Sequence, residues 1–211
     1  MCRLLYVRAS SPFAIRDHLE TFSGISENST EYQGHGWGCA WVRDGQWHFH
    51  HDIRPVWEDD LAGFGSTTLL IAHARSAFRD EGICVENNMP FFDDRHVFIF
   101  NGELQGVRIR EQGRIGAEKI FNYVKRFEED DMFESVKRGV KVIEKRTRYV
   151  RAMNFIMASL DSTYLATVFG ENPDYFQLHR RRDADIDIVC SVAYPGEHDW
   201  QAIDNHTVAT L

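Results

Sequence analysis

Cysteine and proline are scarce in this chain of 211 residues, which contains four of the first and five of the second. Four scattered cysteines are too few for the disulfide scaffold of a small secreted domain. No apolar run approaches the roughly 20 residues that a membrane-spanning helix needs. The N-terminal segment also lacks the shape of a signal peptide, because Arg3 and Arg8 enclose only a short apolar stretch. We therefore expect a cytoplasmic protein.

Basic residues are outnumbered as well, since 24 Lys and Arg face 32 Asp and Glu, for a net charge of −8. This balance argues against a general affinity for nucleic acid or for anionic membranes. A hydrophobic content of 43% is that of a folded protein and not of a disordered one. The length suits one domain. We expect a single domain over residues 1–211, with neither nucleic acid nor membrane as a partner.

The spacing of apolar residues along the chain changes from the period of strands to that of helices and back. Residues 117–127 and 133–143 have apolar side chains at helical spacing, and β-rich runs lie on both sides of them. Because strands and helices do not alternate strictly, the order favours an α+β fold over a doubly wound one. The pattern predicts strands at 2–7, 37–42, 46–50, 69–73, 96–100, 154–159, 164–169, 175–178 and 186–192, and a further helix at 12–22. Asp44-Gly45, between the second and third of these strands, predicts a hairpin turn.

The second residue is a cysteine, and its position gives it a distinct chemistry. Methionine aminopeptidases remove Met1 when the next residue is small, so the mature chain is expected to start at Cys2. The new α-amine would have an ordinary pKa of about 7.7–8.0 and would act as a base toward the thiol of the same residue. The alternative is that a small residue follows the initiator by coincidence.

Further motifs follow Cys2 along the chain. They are His35-Gly36-Trp37-Gly38, Ala72-His73-Ala74-Arg75, Asn88-Met89-Pro90-Phe91, Phe100-Asn101-Gly102-Glu103-Leu104 and a closing Cys190-Ser191 followed by Trp200. In this order, and over almost the whole chain, the sequence resembles the glutaminase domain of class II glutamine amidotransferases, of the N-terminal-nucleophile hydrolase superfamily. The resemblance implies a four-layer αββα sandwich with two antiparallel sheets between helices. It also implies an amidohydrolase that cleaves the side-chain amide of glutamine or of a γ-glutamyl compound through a thioester at Cys2.

The resemblance assigns roles to individual residues. The Asn101 side-chain amide and the Gly102 N–H would form the oxyanion hole, which stabilises the tetrahedral intermediate. Arg75 would hold the substrate α-carboxylate, since guanidinium groups bind carboxylates through two parallel hydrogen bonds. His73 would support the substrate pocket, and the glycine-flanked segment with Gly36 and Trp37 would lie beside the nucleophile. No metal or organic cofactor is required for this reaction.

Several motifs have a structural alternative. Asn101-Gly102 suits a hairpin turn, Arg75 suits a surface ion pair, and Gly36-Trp37-Gly38 suits a β-bulge in a core strand. His48 and His50 share a strand face and suggest a metal pair. Because no acidic or cysteine partner accompanies these histidines at a suitable spacing, we expect a plain hairpin face there.

One position departs from the family pattern. Glutamine-specific members carry an Asp that holds the substrate α-ammonium at the start of the helix after the oxyanion segment, and this sequence has Gly116 there. Either another acid such as Glu103 replaces this Asp, or the substrate is a compound other than free glutamine. A third interpretation is a catalytically weak relative that works as a binding or regulatory subunit.

The length also bears on partners. Because the glutaminase-like domain takes up all 211 residues, we expect no ammonia-using domain on the same chain. Either a separate acceptor subunit receives the ammonia, or the protein is a stand-alone hydrolase of a small amide substrate. Both interpretations leave the oligomeric state open, with a homo-oligomer among the alternatives.

Overall fold

The computed structural model describes residues 1–127 and 131–211. In chain order the strands are β1 (Arg3–Ala14), β2 (Trp37–Arg43), β3 (Gln46–Asp52), β4 (Ser66–Ala74), β5 (Phe91–Phe92), β6 (Val97–Gln105), β7 (Tyr149–Ala158), β8 (Thr163–Thr167), β9 (His179–Arg182), β10 (Ile186–Cys190), β11 (Gln201–Ala202) and β12 (Thr207–Thr210). The α-helices are α1 (Ile15–Glu27), α2 (Gly116–Lys125), α3 (Met132–Lys145) and α4 (Pro173–Phe176). No helix of the described part is long and apolar enough to span a membrane.

The chain divides into two compact units, each built on one antiparallel sheet. The first unit comprises Met1–Pro90 and Leu178–Ile203, and the second comprises Phe91–Gln177 and Asp204–Leu211. The sheet of the first unit has the strand order β11-β9-β10-β1-β4-β2-β3, and that of the second has the order β12-β8-β7-β6-β5. The predicted α+β class with two antiparallel sheets is confirmed.

In the first unit, β1 lies between β10 and β4, and α1 covers one face of the sheet. Leu19 and Phe22 of α1 are fully buried, and they belong to the same core cluster as Trp37 and Leu70 of the strands. Because successive side chains of a strand point to opposite faces, residues 4 and 6 of β1 point to the face away from α1. The sheet therefore has one face that packs on α1. Its opposite face carries the alternate residues of each strand, such as residues 4 and 6 of β1.

The hairpin between β2 and β3 confirms the Asp-Gly turn signal. Asp44 and Gly45 have φ values of 53° and 71°, the left-handed conformation that a two-residue hairpin loop requires at both positions. The strands on either side then pair in register, with Arg43 opposite Gln46 and Trp37 opposite Asp52.

The second unit carries the two amphipathic helices. The apolar faces of α2 and α3 are buried as the helical spacing predicts, with Phe121 and Val124 in α2 and Val140 and Ile143 in α3. The helices pack closely at Gly139, where an added Cβ would lie 3.0 Å from the Val124 Cγ2 atom.

One predicted helix has other bounds, and one predicted strand is wrong. The helix predicted at 12–22 begins only at Ile15 and continues to Glu27, because residues 13 and 14 remain paired with β4. The strand predicted at 175–178 is instead the short helix α4, whose first residue is Pro173. Proline suits this first helical position, since its ring fixes a helical φ and its missing N–H has no partner to lose there.

Candidate active site

Cys2 lies directly before β1, beside the segment that follows β4. The pairing of Arg3 with Ala74 brings residue 2 next to Arg75, and the Cys2 Sγ atom accepts the Ser76 N–H at 3.5 Å. The side chain is buried, with 9% of its surface exposed. Burial raises the pKa of the thiol, whereas the charges of the chain N-terminus and of Arg75 and the Ser76 N–H lower it. Burial has the largest effect, so the pKa of the thiol is raised on balance, and a base has to take its proton before the sulfur can act as a nucleophile.

The Arg75 guanidinium is buried beside this thiol. It donates to the Gly82 carbonyl oxygen at 2.9 Å and to Asn88 Oδ1 at 3.5 Å, and burial lowers its pKa. Within residues 1–127 and 131–211, no carboxylate forms an ion pair with it. Since buried charges are normally paired, this guanidinium is suited to a carboxylate that arrives with a ligand. The alternative of a surface ion pair is wrong, because only 5% of Arg75 is exposed.

Gly36 permits a close approach of the backbone to the residues that hold Arg75. Its φ is 103°, and a Cβ at this position would lie 2.1 Å from Asn88 Nδ2. The Gly36 carbonyl oxygen accepts the backbone N–H of Arg75 at 2.9 Å. The Asn88 side chain is also fixed, because its Nδ2 donates to the Asp52 carbonyl oxygen at 2.7 Å. No other residue type fits there, since both the positive φ and the missing Cβ are required.

His35 binds the backbone on both sides of Ser76, although the sequence motifs assigned it no role. The backbone N–H of His35 donates to the Arg75 carbonyl oxygen at 3.1 Å, and its ring Nδ1 accepts the backbone N–H of Ala77 at 2.9 Å. Its Nε2 lies 3.5 Å from Asp80 Oδ1. The position of the residue directly before Gly36 was the only signal of this function in the sequence.

The structure brings His73 to the face of the sheet that carries Cys2, and places the Trp37 side chain on the other face. His73 is fully buried opposite Leu4 and Gly38. Trp37 packs in the core against α1, and its Nε1 donates to Asp59 Oδ2 at 3.1 Å. Gly36 and Gly38 are thus the residues of this segment that lie on the same face of the sheet as the Cys2 thiol.

A second group missed by the sequence analysis surrounds the first residue of the chain. The Met1 ammonium forms an ion pair with the Glu31 carboxylate. The Met1 carbonyl oxygen accepts Gln33 Nε2 at 2.6 Å, and Gln33 Nε2 also donates to the Glu31 carbonyl oxygen at 2.7 Å. Glu31 and Gln33 lie in a loop without periodicity, so no sequence pattern marks them.

The second unit contains Asn101 and Gly102, which lie inside β6 and not in a turn or at a strand end. The alternative of a hairpin turn at these residues is therefore wrong. The Asn101 amide is fully buried, and within the described residues neither its Oδ1 nor its Nδ2 has a hydrogen-bond partner. At Gly102 a Cβ would lie 2.1 Å from the Ala152 carbonyl oxygen. A buried amide without a protein partner costs about 1–3 kcal/mol unless a water molecule or a ligand completes its hydrogen bonds.

The family pattern has an Asp where this chain has Gly116, and Glu103 was the acid considered as its replacement. The Glu103 carboxylate already pairs with Arg151 at 3.3 Å and accepts from Gln105 Nε2 at 2.7 Å. Gly116 is the first residue of α2, and a Cβ there would meet no atom within 4 Å. The glycine is therefore not required by packing. Its neighbour Glu118 binds the Arg114 side chain, at 2.6 Å from its Nη2.

The His48 and His50 face differs from the expectation in one respect. His50 Nε2 lies 2.8 Å from Asp59 Oδ2, and one ligand atom each of His50, Asp52 and Asp59 lies within 4.8 Å of the others. Arg54 bonds both carboxylates, at 2.7 Å from Asp52 and 3.0 Å from Asp59. Because this guanidinium already bridges both acids, the arrangement is that of an ion-pair network.

Comparison with known proteins identifies the fold. No family model and no curated protein sequence matches the chain, but solved structures do. A class-II glutamine aminotransferase domain protein from Silicibacter pomeroyi matches with a TM-score of 0.68 at 17% identity, over 99% of this chain and 94% of that one. A predicted glutamine amidotransferase from Pseudomonas aeruginosa matches with a TM-score of 0.61 at 16% identity, over 99% and 96%. The fold is that of class II glutamine amidotransferases.

A larger enzyme shares this fold in part. Glutamine phosphoribosylpyrophosphate amidotransferase from B. subtilis matches with a TM-score of 0.63 at 15% identity, over 90% of this chain and 42% of that one. The chain thus spans less than half the length of that enzyme. At such identities the likeness establishes the N-terminal-nucleophile hydrolase fold, and the reaction has to be argued from the residues of the site.

Proposed function

We propose that the chain is an amidohydrolase of the glutamine amidotransferase type, which cleaves the side-chain amide of glutamine or of a γ-glutamyl compound. One observation carries the proposal: a buried thiol at residue 2 lies beside a buried guanidinium, Arg75, that has no carboxylate partner in the described part of the chain. A substrate with a carboxylate and an amide satisfies both groups. The shared fold supports the assignment, since the described relatives are glutamine amidotransferases.

In the proposed reaction, Met1 is removed and the α-amine of Cys2 accepts the thiol proton through a water molecule. The thiolate attacks the amide carbon, and the Asn101 amide and the Gly102 N–H stabilise the oxyanion. The C–N bond breaks, and the α-ammonium returns its proton to the departing ammonia. Water then hydrolyses the thioester to a carboxylic acid and restores the thiol. Ammonia passes to a separate acceptor subunit or into solution.

The test compares two cysteine variants for ammonia release from L-glutamine. Cys2→Ala removes the nucleophile, and we expect a loss of about 1000-fold or more, the scale seen when a nucleophile is deleted. Cys84→Ala is the control, because Cys84 is a free cysteine in the same unit and more exposed than Cys2. It should retain the activity. Full activity in a folded Cys2→Ala protein would refute the proposed mechanism.

The regulatory alternative rests on Gly116, which stands where the resemblance places the ammonium-binding Asp. This alternative predicts that L-glutamine raises the melting temperature of the protein while no Cys2-dependent ammonia is released. The same two variants therefore separate the two functions.

A further inference from the structure

The Glu31 carboxylate holds an α-ammonium group close to the candidate nucleophile. In the structure this ammonium belongs to Met1, one residue before Cys2. Glu31 lies close enough to Cys2 for its charge to raise the pKa of the thiol, opposite to the effect of the chain N-terminus and Arg75. Its side chain is 36% exposed, so a small molecule can reach it once residue 1 is absent.

Gln33 fixes the backbone that carries this carboxylate. It is fully buried, and its Nε2 donates to the Glu31 carbonyl oxygen at 2.7 Å and to the Met1 carbonyl oxygen at 2.6 Å. The first residue of the chain is thus bound through its ammonium and its carbonyl group, as an amino-acid ligand would be. Removal of Met1 leaves these two partners at a place beside the thiol.

An amino-acid substrate needs two opposite charges near the nucleophile. Arg75 supplies a buried cation without a carboxylate partner in the described residues, and Glu31 supplies the anion; both lie in the first unit and both act on the thiol of Cys2. The other acid considered, Glu103, is already paired with Arg151.

We propose that Glu31 is the counter-ion of the substrate α-ammonium in the chain that starts at Cys2. This inference rests on the proposed amidohydrolase function and names its specificity-determining acid. Met1 occupies the ammonium site in the unprocessed chain, so removal of Met1 frees both the base on Cys2 and the place where the substrate amino group binds. The expected substrates carry a free α-amine, whereas N-acylated glutamines are expected to be poor substrates.

The experiment compares L-glutamine with glutaramate, which has the same carboxylate and carboxamide but no α-ammonium. The processed protein, verified by intact mass, is tested as wild type, as Glu31→Gln and as Glu27→Gln, an exposed acid at the end of α1. We expect Glu31→Gln to raise KM for L-glutamine by about 10- to 100-fold, the factor for one lost charge-assisted hydrogen bond, with kcat changed by less than about threefold. KM for glutaramate should be unaffected, and Glu27→Gln should match wild type with both.

Two results would overturn the inference. Equal losses of kcat with both substrates would mean that Glu31 binds the α-amine of Cys2, and unchanged constants would mean that another group binds the ammonium. If neither amide is hydrolysed, the proposed function fails by itself. Glu31 is then still tested by the melting temperature, which L-glutamate should raise more than glutarate in wild type and not in Glu31→Gln.

Discussion

Two buried polar side chains, Arg75 and Asn101, lack the partners that burial normally requires. Within the described residues, Arg75 donates only to neutral acceptors and the Asn101 amide has no hydrogen bond. Leaving such groups unsatisfied lowers the stability of the fold, and proteins retain such groups where a ligand completes the bonding. The two residues are the ones to which the resemblance assigns the carboxylate and the oxyanion.

Asn101 and its neighbour across the sheet, Asn154, form a matched pair for mutation. Asn154 Nδ2 donates to the Phe176 carbonyl oxygen at 2.6 Å, and its Oδ1 accepts the Thr167 hydroxyl at 2.7 Å. We expect Asn101→Leu to raise the free energy of unfolding by about 1 kcal/mol, since it replaces an unbonded buried amide by an apolar group. It should also lower ammonia release by about 100-fold or more.

Asn154→Leu should do the reverse for stability and lower the free energy of unfolding by about 1–3 kcal/mol, because it leaves the Phe176 and Thr167 groups unpaired. Urea denaturation measures both variants. An Asn101→Leu protein that is less stable than Asn154→Leu would show that the Asn101 amide is satisfied in solution and is no free oxyanion donor.

At the scale of elements, the segment from Arg75 to Asn88 is held by single hydrogen bonds and not by strand pairing. His35 Nδ1 accepts the backbone N–H of Ala77, and the Gly82 carbonyl oxygen accepts hydrogen bonds from Arg75 Nη2 and Asn87 Nδ2. Because the segment carries the guanidinium next to the thiol, loss of one such bond is expected to affect substrate binding before it affects the sheet.

His35 makes that attachment depend on pH. Burial lowers its pKa below the ordinary value of 6.5, although Asp80 acts in the other direction, while Arg75 and the chain N-terminus lower it further. The neutral ring is the one that accepts the Ala77 N–H, so the attachment is complete above pH 6.5 and is lost as the pH falls through the depressed pKa. We expect KM for L-glutamine to rise as the pH is lowered below 6.5.

His35→Asn is the control for this pH dependence, because its amide oxygen can take the place of Nδ1 as an acceptor and does not titrate. The rise of KM in acid should therefore be much smaller in this variant. Steady-state kinetics between pH 5 and 8 provide the measurement, and an equal rise of KM in both proteins would exclude His35 as the group responsible.

Local patterns predicted the elements that local interactions determine. The apolar stripes identify α2 and α3, and Asp44-Gly45 identifies the hairpin. Two errors lie where distant pairing decides: residues 13 and 14 continue β1 because β4 pairs with them, and Asn101-Gly102 continues β6 because β7 pairs with it. The strand predicted at 175–178 is an error of another kind, since a short helix begins there at Pro173. Cys2 and Arg75 were predictable because strand ends place them, whereas Glu31 and His35 lie in a loop whose bonds no periodicity reveals.

At the scale of the whole molecule, motif order was more informative than composition. The chain shares 15–17% of its residues with the structures it resembles, so the fold is preserved while most side chains differ. The net charge of −8 argues against nucleic acid and anionic membranes as partners, which stays a prediction, and it says nothing of the substrate. The single domain over 1–211 stays a prediction, and the acceptor subunit and the homo-oligomer are proposals that gel filtration with light scattering would test.

The proposed function requires the thiol of Cys2, freed at the N-terminus, to be the nucleophile. Intact-mass and peptide mass spectrometry after incubation with diazo-oxo-norleucine, a glutamine-like electrophile, provide the decisive measurement. We expect one adduct on a chain that lacks Met1, located on Cys2, prevented by excess L-glutamine and absent from Cys2→Ala. An adduct on another residue such as Cys84, or a chain that retains Met1 and still releases ammonia from L-glutamine, would contradict it.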